Sequence, residues 1–158
     1  LHCLCSCHKG SRHRATTAIR ASVQSSRVKG ISCLVDTDIA IDFLRRRDYA
    51  QKLLDSWAVE GLLAISTLTH VEIYQGMKAG EEKATNAFLD GLVSVAVDIP
   101  IARQAGIMLG ELRSKGMTIG IADAIIAATA LQFGAPLLTN NVEHYPFPNL
   151  KVIKGLEV

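Results

Sequence analysis

The chain has 158 residues, which is the size of one ordinary domain. Apolar side chains make up 49% of it and charged side chains 20%, a composition that fills a hydrophobic core and excludes a disordered chain. No apolar run approaches the roughly 18 residues that a membrane-spanning helix needs. The composition therefore predicts a soluble globular protein that has no membrane partner.

The net charge of +2 conceals two segments of opposite sign. Residues 1–35 contain six Lys and Arg side chains and no acid, whereas residues 36–158 contain 11 basic and 15 acidic side chains. A domain with an acidic excess cannot attract nucleic acid through a general positive field. If this domain binds nucleic acid, it needs local basic patches, a partner subunit, or metal ions that reverse the local charge.

Residues 1–29 show no sustained helix or strand periodicity, and we expect a basic, disordered leader without a catalytic role. Three cysteines and a histidine within Cys3–His8 suggest a metal site, but their one-residue spacing and the lack of a second Cys pair disfavour it. The segment resembles an organelle transit peptide. It also fits sequence upstream of a misplaced start, which the natural beginning at Val28–Ile31 favours. No cysteine follows Cys33, which predicts a reducing cytoplasm.

From residue 31 onward, short apolar runs that predict buried strands alternate with amphipathic stretches that predict helices. In chain order, the predicted elements are a strand at Ile31–Val35, helices at Thr37–Arg47 and Tyr49–Val59, a strand at Leu62–Ile65, helices at Ser66–Gly76 and Glu81–Leu89, a strand at Val93–Val97, helices at Pro100–Gly116 and Ile121–Phe133, and strands at Pro136–Leu138 and Val152–Ile153. This alternation indicates an α/β sandwich around a mostly parallel sheet of four or five short strands.

Several helix ends carry local signals. Thr37 and Asp38 are predicted to cap the first helix, and Arg45–Arg47 to form its C-terminal end, where the helix dipole favours positive charge. Ser66 is most simply the cap of the helix after the second strand. Pro100 suits a first helical turn, where a missing N–H costs nothing.

Most acids of residues 36–158 occupy polar faces, but three do not. Asp36 directly follows a buried strand, Glu72 lies one turn into the helix after the second strand, and Asp123 stands in one of the least polar stretches. The carboxyl ends of parallel strands line one crevice, so Asp36 and Glu72 are expected at the same edge of the sheet. Asp123 is either a first-turn acid of its helix or a third carboxylate in that crevice.

Three carboxylates that converge without a Lys or Arg would take up protons unless a cation lies among them. An all-oxygen cluster selects a hard cation, Mg²⁺ or Mn²⁺, over zinc. Such an ion lowers the pKa of bound water and offsets the charge on a phosphate under attack. The acids therefore indicate phosphodiester hydrolysis, and the ion would also admit a polyanion to an acidic domain.

Four motifs occur in order along this domain. They are Val35-Asp36-Thr37-Asp38, Ser66-x-x-Thr69-x-x-Glu72-Ile73-x-x-Gly76, Asp123-Ala124-x-Ile126-Ala127-Ala128-Thr129-Ala130 and Thr139-x-Asn141. On these motifs, the sequence from Ile31 to Val158 resembles PIN-domain ribonucleases, and within them the VapC-type toxins of type II toxin–antitoxin systems. The resemblance implies a PIN-like three-layer α/β/α sandwich over residues 30–158.

The same resemblance implies a metal-dependent endoribonuclease whose catalytic and metal-binding acids are Asp36, Glu72 and Asp123. The cofactor would be Mg²⁺, with Mn²⁺ as a substitute, and Asp36 and Asp123 would be its direct ligands. Asn141 is a fourth catalytic candidate, because many relatives carry an acid at that position. Its amide brings an oxygen but no charge, which leaves the binding of a second ion open.

Five further residues lie in or near these motifs. Three of them have two possible roles each, and the other two are expected to have structural roles. Thr37 and Thr139 either position water or the scissile phosphate, or make ordinary turn hydrogen bonds. Asp38 stands where the family often has Asn, and we interpret it as a cap or a supporting group rather than a ligand. His144 is either an RNA contact or a surface imidazole, and Tyr145 is expected in the core, like the Phe of relatives.

The implied partners are an RNA substrate, an antitoxin bound in a groove of the early helices, and a second copy of the chain in a homodimer. Arg45–Arg47 would touch RNA or the antitoxin, or form a solvated helix end. Two alternatives remain open. One is a PIN-fold RNA-processing nuclease outside a toxin–antitoxin system, and the other is a catalytically weak module that binds RNA or protein.

Overall fold

The structure is a computed structural model that describes residues 30–157. The expected disordered leader lies outside the described residues, and so does the Cys3–His8 segment, for which a metal site was disfavoured. The strands are β1 (Ile31–Val35), β2 (Leu62–Ser66), β3 (Val93–Val95), β4 (Leu137–Thr139) and β5 (Val152–Lys154). The α-helices are α1 (Thr37–Leu44), α2 (Asp48–Glu60), α3 (Thr67–Gly76), α4 (Glu82–Asp90), α5 (Ile99–Ser114) and α6 (Ile121–Phe133), and single 3₁₀ turns lie at Val142–His144 and Gly155–Glu157.

The five strands form one parallel sheet in the order β3-β2-β1-β4-β5. β1 is central, with Leu34 opposite Ala64 of β2 and Leu137 of β4. From β1 the chain builds outward to β2 and β3, then crosses to the other side and builds β4 and β5. In open α/β sheets a crevice forms where the strand order reverses. Here that crevice lies at the carboxyl ends of β1 and β4.

A helical layer covers each face of the sheet. Alternate residues of a strand point to opposite faces, so Cys33 and Val35 pack with α1–α4 whereas Leu34 packs with α5 and α6. β1 is buried on both faces, which explains why its sequence is a continuous apolar run. These layers confirm the predicted PIN-like α/β/α sandwich and its parallel sheet.

The ends of α1 differ from the prediction. Asp36, and not Thr37 or Asp38, is the N-cap residue, and its carboxylate accepts a hydrogen bond from the Thr37 backbone N–H at 2.7 Å. The helix ends at Leu44, so Arg45–Arg47 form the exposed connection to α2 and not a last helical turn. Arg46 there adopts a positive φ of 59°, a left-handed conformation that stops the helix.

β3 is two residues shorter than predicted and ends at Val95. The chain then turns into α5, which Asp98 caps by accepting a hydrogen bond from the Ile101 backbone N–H at 2.9 Å. Ser66 caps α3 as predicted, because its hydroxyl accepts the Leu68 N–H at 3.2 Å. No helix within residues 30–157 is long and apolar enough to cross a membrane.

Candidate active site

Asp36 lies at the carboxyl end of β1 and is 5% exposed. Its backbone N–H donates to the carbonyl of Leu138 in β4 at 3.0 Å, so the residue sits in the crevice between the two strands. One carboxylate oxygen, Oδ1, accepts the Thr37 N–H, and the other, Oδ2, accepts the hydroxyl of Tyr145 at 2.8 Å. Two donors on different oxygens hold the side chain in one orientation.

Glu72 reaches the same edge of the sheet from α3. It is half-buried, and its Oε2 accepts a hydrogen bond from the Thr37 hydroxyl. Ser66 caps α3 at the end of β2, the strand next to β1, and α3 packs against α1, the helix that begins with Thr37. The hydrogen bond joins Glu72 directly to Thr37, the residue that follows Asp36.

Asp123 lies in the first turn of α6 with its side chain 26% exposed. Its Oδ2 is 3.5 Å from Nδ1 of His144, an imidazole that is half exposed. The negative charge of Asp123 acts on both Asp36 and Tyr145 and helps to raise their pKa values. Asp123 is thus both a first-turn acid and a neighbour of Asp36, so the two interpretations of its position are compatible.

The carboxyl groups at this edge lie in a low-dielectric, acidic environment. Burial, the largest cause, raises the pKa of Asp36, and the charge of Asp123 adds to it, against the hydrogen bonds from Thr139, Tyr145 and Thr37. Burial followed by the charge of Asp36 raises the pKa of Asp38 to about 6. A divalent cation at this edge would relieve both the desolvation and the repulsion.

Asp38 supports the crevice from the first turn of α1. Its Oδ1 accepts the Ile39 N–H at 2.6 Å, and its Oδ2 accepts the Asn140 N–H at 2.8 Å and faces the Thr139 hydroxyl at 3.4 Å. These bonds fasten α1 to the end of β4. They support the interpretation of Asp38 as a supporting group.

Thr139, the last residue of β4, and Asn141, two residues later, have opposite surroundings. Thr139 is fully buried, and its hydroxyl accepts the Asn141 backbone N–H at 3.0 Å. In this position its hydroxyl serves the carboxylates and the turn, and a direct contact with a scissile phosphate stays a prediction. Asn141 is exposed at the mouth of the crevice, and its role in metal binding also stays a prediction.

Asn140 and Tyr49 make hydrogen bonds next to the crevice, and neither was predicted as a site residue from the sequence. Asn140 donates through its backbone N–H to Asp38 and through Nδ2 to the Tyr49 hydroxyl at 2.7 Å, and its Oδ1 accepts the Leu156 N–H at 3.1 Å. The Tyr49 hydroxyl in turn donates to Asp42. Asn140 therefore joins α1, α2 and the C-terminal turn, and no local pattern distinguishes it from Asn141 in the sequence.

The donors fit a hard divalent ion by their chemistry. The charge of Asp123 acts on Asp36, and Thr37 links Asp36 to Glu72, because its N–H donates to Asp36 and its hydroxyl donates to Glu72. Within residues 30–157, however, no three His, Cys, Asp or Glu side chains stand together as a complete metal site. The structure thus brings the predicted acids to one edge of the sheet without closing them into a complete ligand cage.

A parallel α/β/α sandwich with carboxylates at the carboxyl ends of its central strands defines the PIN-domain class, and the PIN domain family matches residues 33–148. Ribonuclease VapC19 of Mycobacterium tuberculosis is 39% identical over 120 residues, which cover 75% of this chain and 96% of that protein. Ribonuclease VapC1 of Methanocaldococcus jannaschii is 32% identical over 113 residues, which cover 71% of this chain and 77% of that protein.

Solved structures agree with these sequence matches. VapBC2 from Rickettsia felis, bound to a DNA fragment from its promoter, has a TM-score of 0.69 at 26% identity and covers 77% of this chain and 96% of its own. A toxin–antitoxin complex from Klebsiella pneumoniae has a TM-score of 0.67 at 28% identity and covers 78% of this chain and 98% of its own. The chain therefore belongs to the PIN-domain family, in its VapC group.

Proposed function

We propose that this protein is a Mg²⁺-dependent endoribonuclease, the toxin of a toxin–antitoxin pair, which hydrolyses RNA phosphodiester bonds. The observation that carries the proposal is the placement of Asp36, Asp123 and the Thr37-bound Glu72 at one edge of the sheet. The ribonuclease names of the VapC relatives support RNA as the substrate class. Carboxylates at a topological switch point are suited to hold Mg²⁺ or Mn²⁺ against a phosphate.

Each acid has a separate task in this proposal. Asp36 and Asp123 would hold the ion directly, and Glu72 would face it from α3, in an orientation fixed by the Thr37 hydroxyl. When bound, the ion supplies a water of lowered pKa and offsets the charge on the phosphate. Asn141, exposed at the crevice mouth, would offer its amide oxygen to the ion or to a water molecule.

We propose that an antitoxin binds in a groove beside the C-terminal end of α1, whereas Asp36 lies at the N-terminal end of this helix. The groove holds about 180 Å³, and its lining includes Ile41, Leu44, Ile73 and Met77, with Arg45 at its edge. The similar structure from Klebsiella pneumoniae is a toxin–antitoxin complex, which supports a partner of this kind. The groove is formed by α1, α3, the loop after α3 and the first turn of α4. These are the early helices that the family resemblance implies for the antitoxin.

A homodimer is proposed from apolar side chains exposed around the acidic edge. Val71 is 60% exposed next to Glu72, and Ile121 is 70% exposed two residues before Asp123. Covering such side chains with a second copy would bury apolar surface and bring two acidic sites together.

The free, buried Cys33 is compatible with the reducing cytoplasm in which we propose that the protein acts.

RNA cleavage by the purified chain tests the nuclease proposal. We expect structured RNA to be cut with Mg²⁺ or Mn²⁺ and left intact with EDTA. Asp36→Ala and Asp123→Ala should abolish cleavage while circular dichroism shows a folded chain, because each change removes metal-binding charge from the edge of the sheet. Asp55→Ala, an exposed acid on α2, is the matched control and should cleave normally. Normal cleavage by the first two variants would contradict the site assignment.

The two alternatives are separated by different outcomes. A processing nuclease would cleave RNA in the same assay without harming its host, whereas a toxin should arrest growth on expression and be relieved by the product of a small neighbouring reading frame. A catalytically weak module would bind RNA and leave it uncut with either ion. The presence of all three acids at one edge favours turnover over binding alone.

A further inference from the structure

The hydroxyl of Tyr145 makes a buried hydrogen bond to the candidate metal ligand Asp36. Tyr145 is 4% exposed, and its ring packs in the core between the sheet and the α5–α6 layer. From there the hydroxyl reaches Asp36 Oδ2 at 2.8 Å, across 109 residues of sequence. The loop after β4 is thereby joined to the end of β1 at the crevice.

We propose that Tyr145 is a positioning residue, which holds the Asp36 carboxylate in the orientation that binds a divalent cation. The inference rests on the proposed metal-dependent nuclease function. A carboxylate offers about four lone-pair directions. The Thr37 N–H uses one on Oδ1, the Tyr145 hydroxyl uses one on Oδ2 at 2.8 Å, and the Thr139 hydroxyl also acts on this carboxylate, which leaves at least one direction free for an ion.

The hydroxyl acts on the carboxylate and not on the packing. A phenylalanine at position 145 would fill the same core volume, since the two side chains differ only by the oxygen. The charges of Asp36, Asp123 and Asp38 all reach this hydroxyl and, after burial, raise the pKa of Tyr145. The phenol therefore lies among the acids of the crevice as a neutral donor, which orients a carboxylate without competing for it as a Lys or Arg would.

A purely structural role predicts something different. A buried carboxylate needs hydrogen-bond partners wherever it occurs, and on that basis loss of the hydroxyl would lower stability alone. A positioning role predicts a loss of ion affinity in a chain that is still folded. Hydrogen-bond partners of metal ligands typically change affinity by about 10–100-fold when they are removed.

Binding of Mn²⁺ to the full chain, measured by isothermal titration calorimetry, tests the proposal. We expect Tyr145→Phe to weaken Mn²⁺ binding about tenfold with an unchanged circular dichroism spectrum. Tyr74→Phe is the matched control, because its exposed hydroxyl donates to Asn86 at 2.6 Å, outside the crevice, and it should bind like wild type. In an Asp36→Asn background, Tyr145→Phe should have no further effect on the ion.

The outcomes separate this inference from the proposed function. A wild-type chain that binds no Mn²⁺ would overturn both. A wild-type chain that binds, together with a Tyr145→Phe variant that binds within twofold of it, would overturn the positioning role alone and leave the metal site standing.

A second measurement uses wild-type protein, so that the proposal can be tested even if Tyr145→Phe does not fold. In wild type with ¹³Cζ-labelled tyrosine, the Tyr145 resonance is the one that persists in both Tyr49→Phe and Tyr74→Phe. We expect it to shift on addition of Mg²⁺, with the dissociation constant that a separate calorimetric titration with Mg²⁺ gives. A resonance that does not move while the ion binds would overturn the proposal.

Discussion

The Thr37 hydroxyl donates a hydrogen bond to Glu72 Oε2, across 35 residues of sequence and between two helices. Thr37 follows Asp36 directly, so the bond couples the acid of α3 to the acid at the end of β1. A carboxylate held by a fixed donor loses little freedom when an ion arrives. The Thr37 hydroxyl donates its proton to Glu72, so its main role in this structure is to orient the Glu72 carboxylate.

Thr37→Val, which removes the hydroxyl and keeps the shape, should lower RNA cleavage about tenfold at subsaturating Mg²⁺ because Glu72 is no longer oriented. Thr37→Ser, which keeps the hydroxyl, should retain most of the activity. The measurement is the cleavage rate as a function of Mg²⁺ concentration. Thr129→Val is the control, since the Thr129 hydroxyl only bonds back to the Ile125 carbonyl within α6 at 2.7 Å. Equal rates for Thr37→Val and wild type would show that Glu72 is oriented by other contacts.

Asp38 should give the metal-free protein a pH-dependent stability. Its pKa is raised from 3.8 to about 6 by burial and then by the charge of Asp36. A carboxyl whose pKa is higher in the folded than in the unfolded chain stabilises the fold fully below its unfolded pKa, and this stabilisation is lost as the pH rises through the folded pKa. The window therefore runs from about pH 4 to about pH 6, and Asp36, whose pKa is also raised, acts in the same direction.

Thermal unfolding in EDTA across this window measures the effect. The midpoint of wild type should fall as the pH rises, and Asp38→Asn should flatten the slope, whatever its absolute stability. Saturating Mg²⁺ should stabilise wild type more at pH 7 than at pH 5, because the ion competes with protons for the same carboxylates. Identical slopes for wild type and Asp38→Asn would show that Asp38 does not titrate here.

Much of this fold could be predicted because its signals are local. The apolar run of β1 and the period of α6 follow from which faces are buried, and Ser66 caps α3 through an oxygen two residues from its partner. The prediction that the first helix runs through Arg47 was three residues too long, because the charge of the arginines does not reveal that Arg45 is the C-cap and that Arg46 turns left-handed.

The position of Asp36 at the end of β1 could be predicted from the sequence, but the hydrogen bonds that hold its carboxylate could not, and its catalytic role stays a prediction. Asp36 stands out in the sequence because it directly follows a buried strand and lies on no polar face, although the structure also makes it the N-cap of α1. Tyr145 was correctly predicted in the core, but its hydrogen bond to Asp36 depends on two chain segments meeting across the sheet. Asn140 depends on the same kind of contact, with three separate elements. Such contacts arise from the tertiary fold and leave no spacing that a sequence pattern can reveal.

Asn141→Asp tests whether position 141 reaches the ion. The side chain is exposed at the crevice mouth, while its backbone N–H is held by Thr139. One added carboxylate near a divalent ion is worth on the order of 1 kcal/mol in a partly solvated setting, so we expect Mn²⁺ binding to tighten about fivefold in calorimetry. Asn149→Asp adds the same charge to an exposed position outside the crevice and should leave the affinity unchanged. Equal affinities for Asn141→Asp and wild type would make Asn141 a bystander.

Gly155 sets how closely the C-terminal turn packs on α1, α2 and Asn140. A Cβ there would lie 2.7 Å from Ile39 Cδ1, 3.0 Å from Asn140 Oδ1 and 3.2 Å from Leu53 Cδ2. Gly155→Ala should therefore lower the free energy of unfolding by about 1–3 kcal/mol, the usual cost of overpacking a core. Urea denaturation measures the change.

Gly106→Ala on α5 is the matched substitution, because a Cβ there meets no atom within 4 Å. It should raise stability by about 0.5–1 kcal/mol, since alanine is the better helix residue. If Gly155→Ala is as stable as wild type, the turn yields to the added methyl group. If it is less stable and also binds Mn²⁺ more weakly, the strain passes from Asn140 to Asp38, whose Oδ2 accepts the Asn140 N–H at 2.8 Å, and the C-terminal turn contributes to the geometry of the crevice.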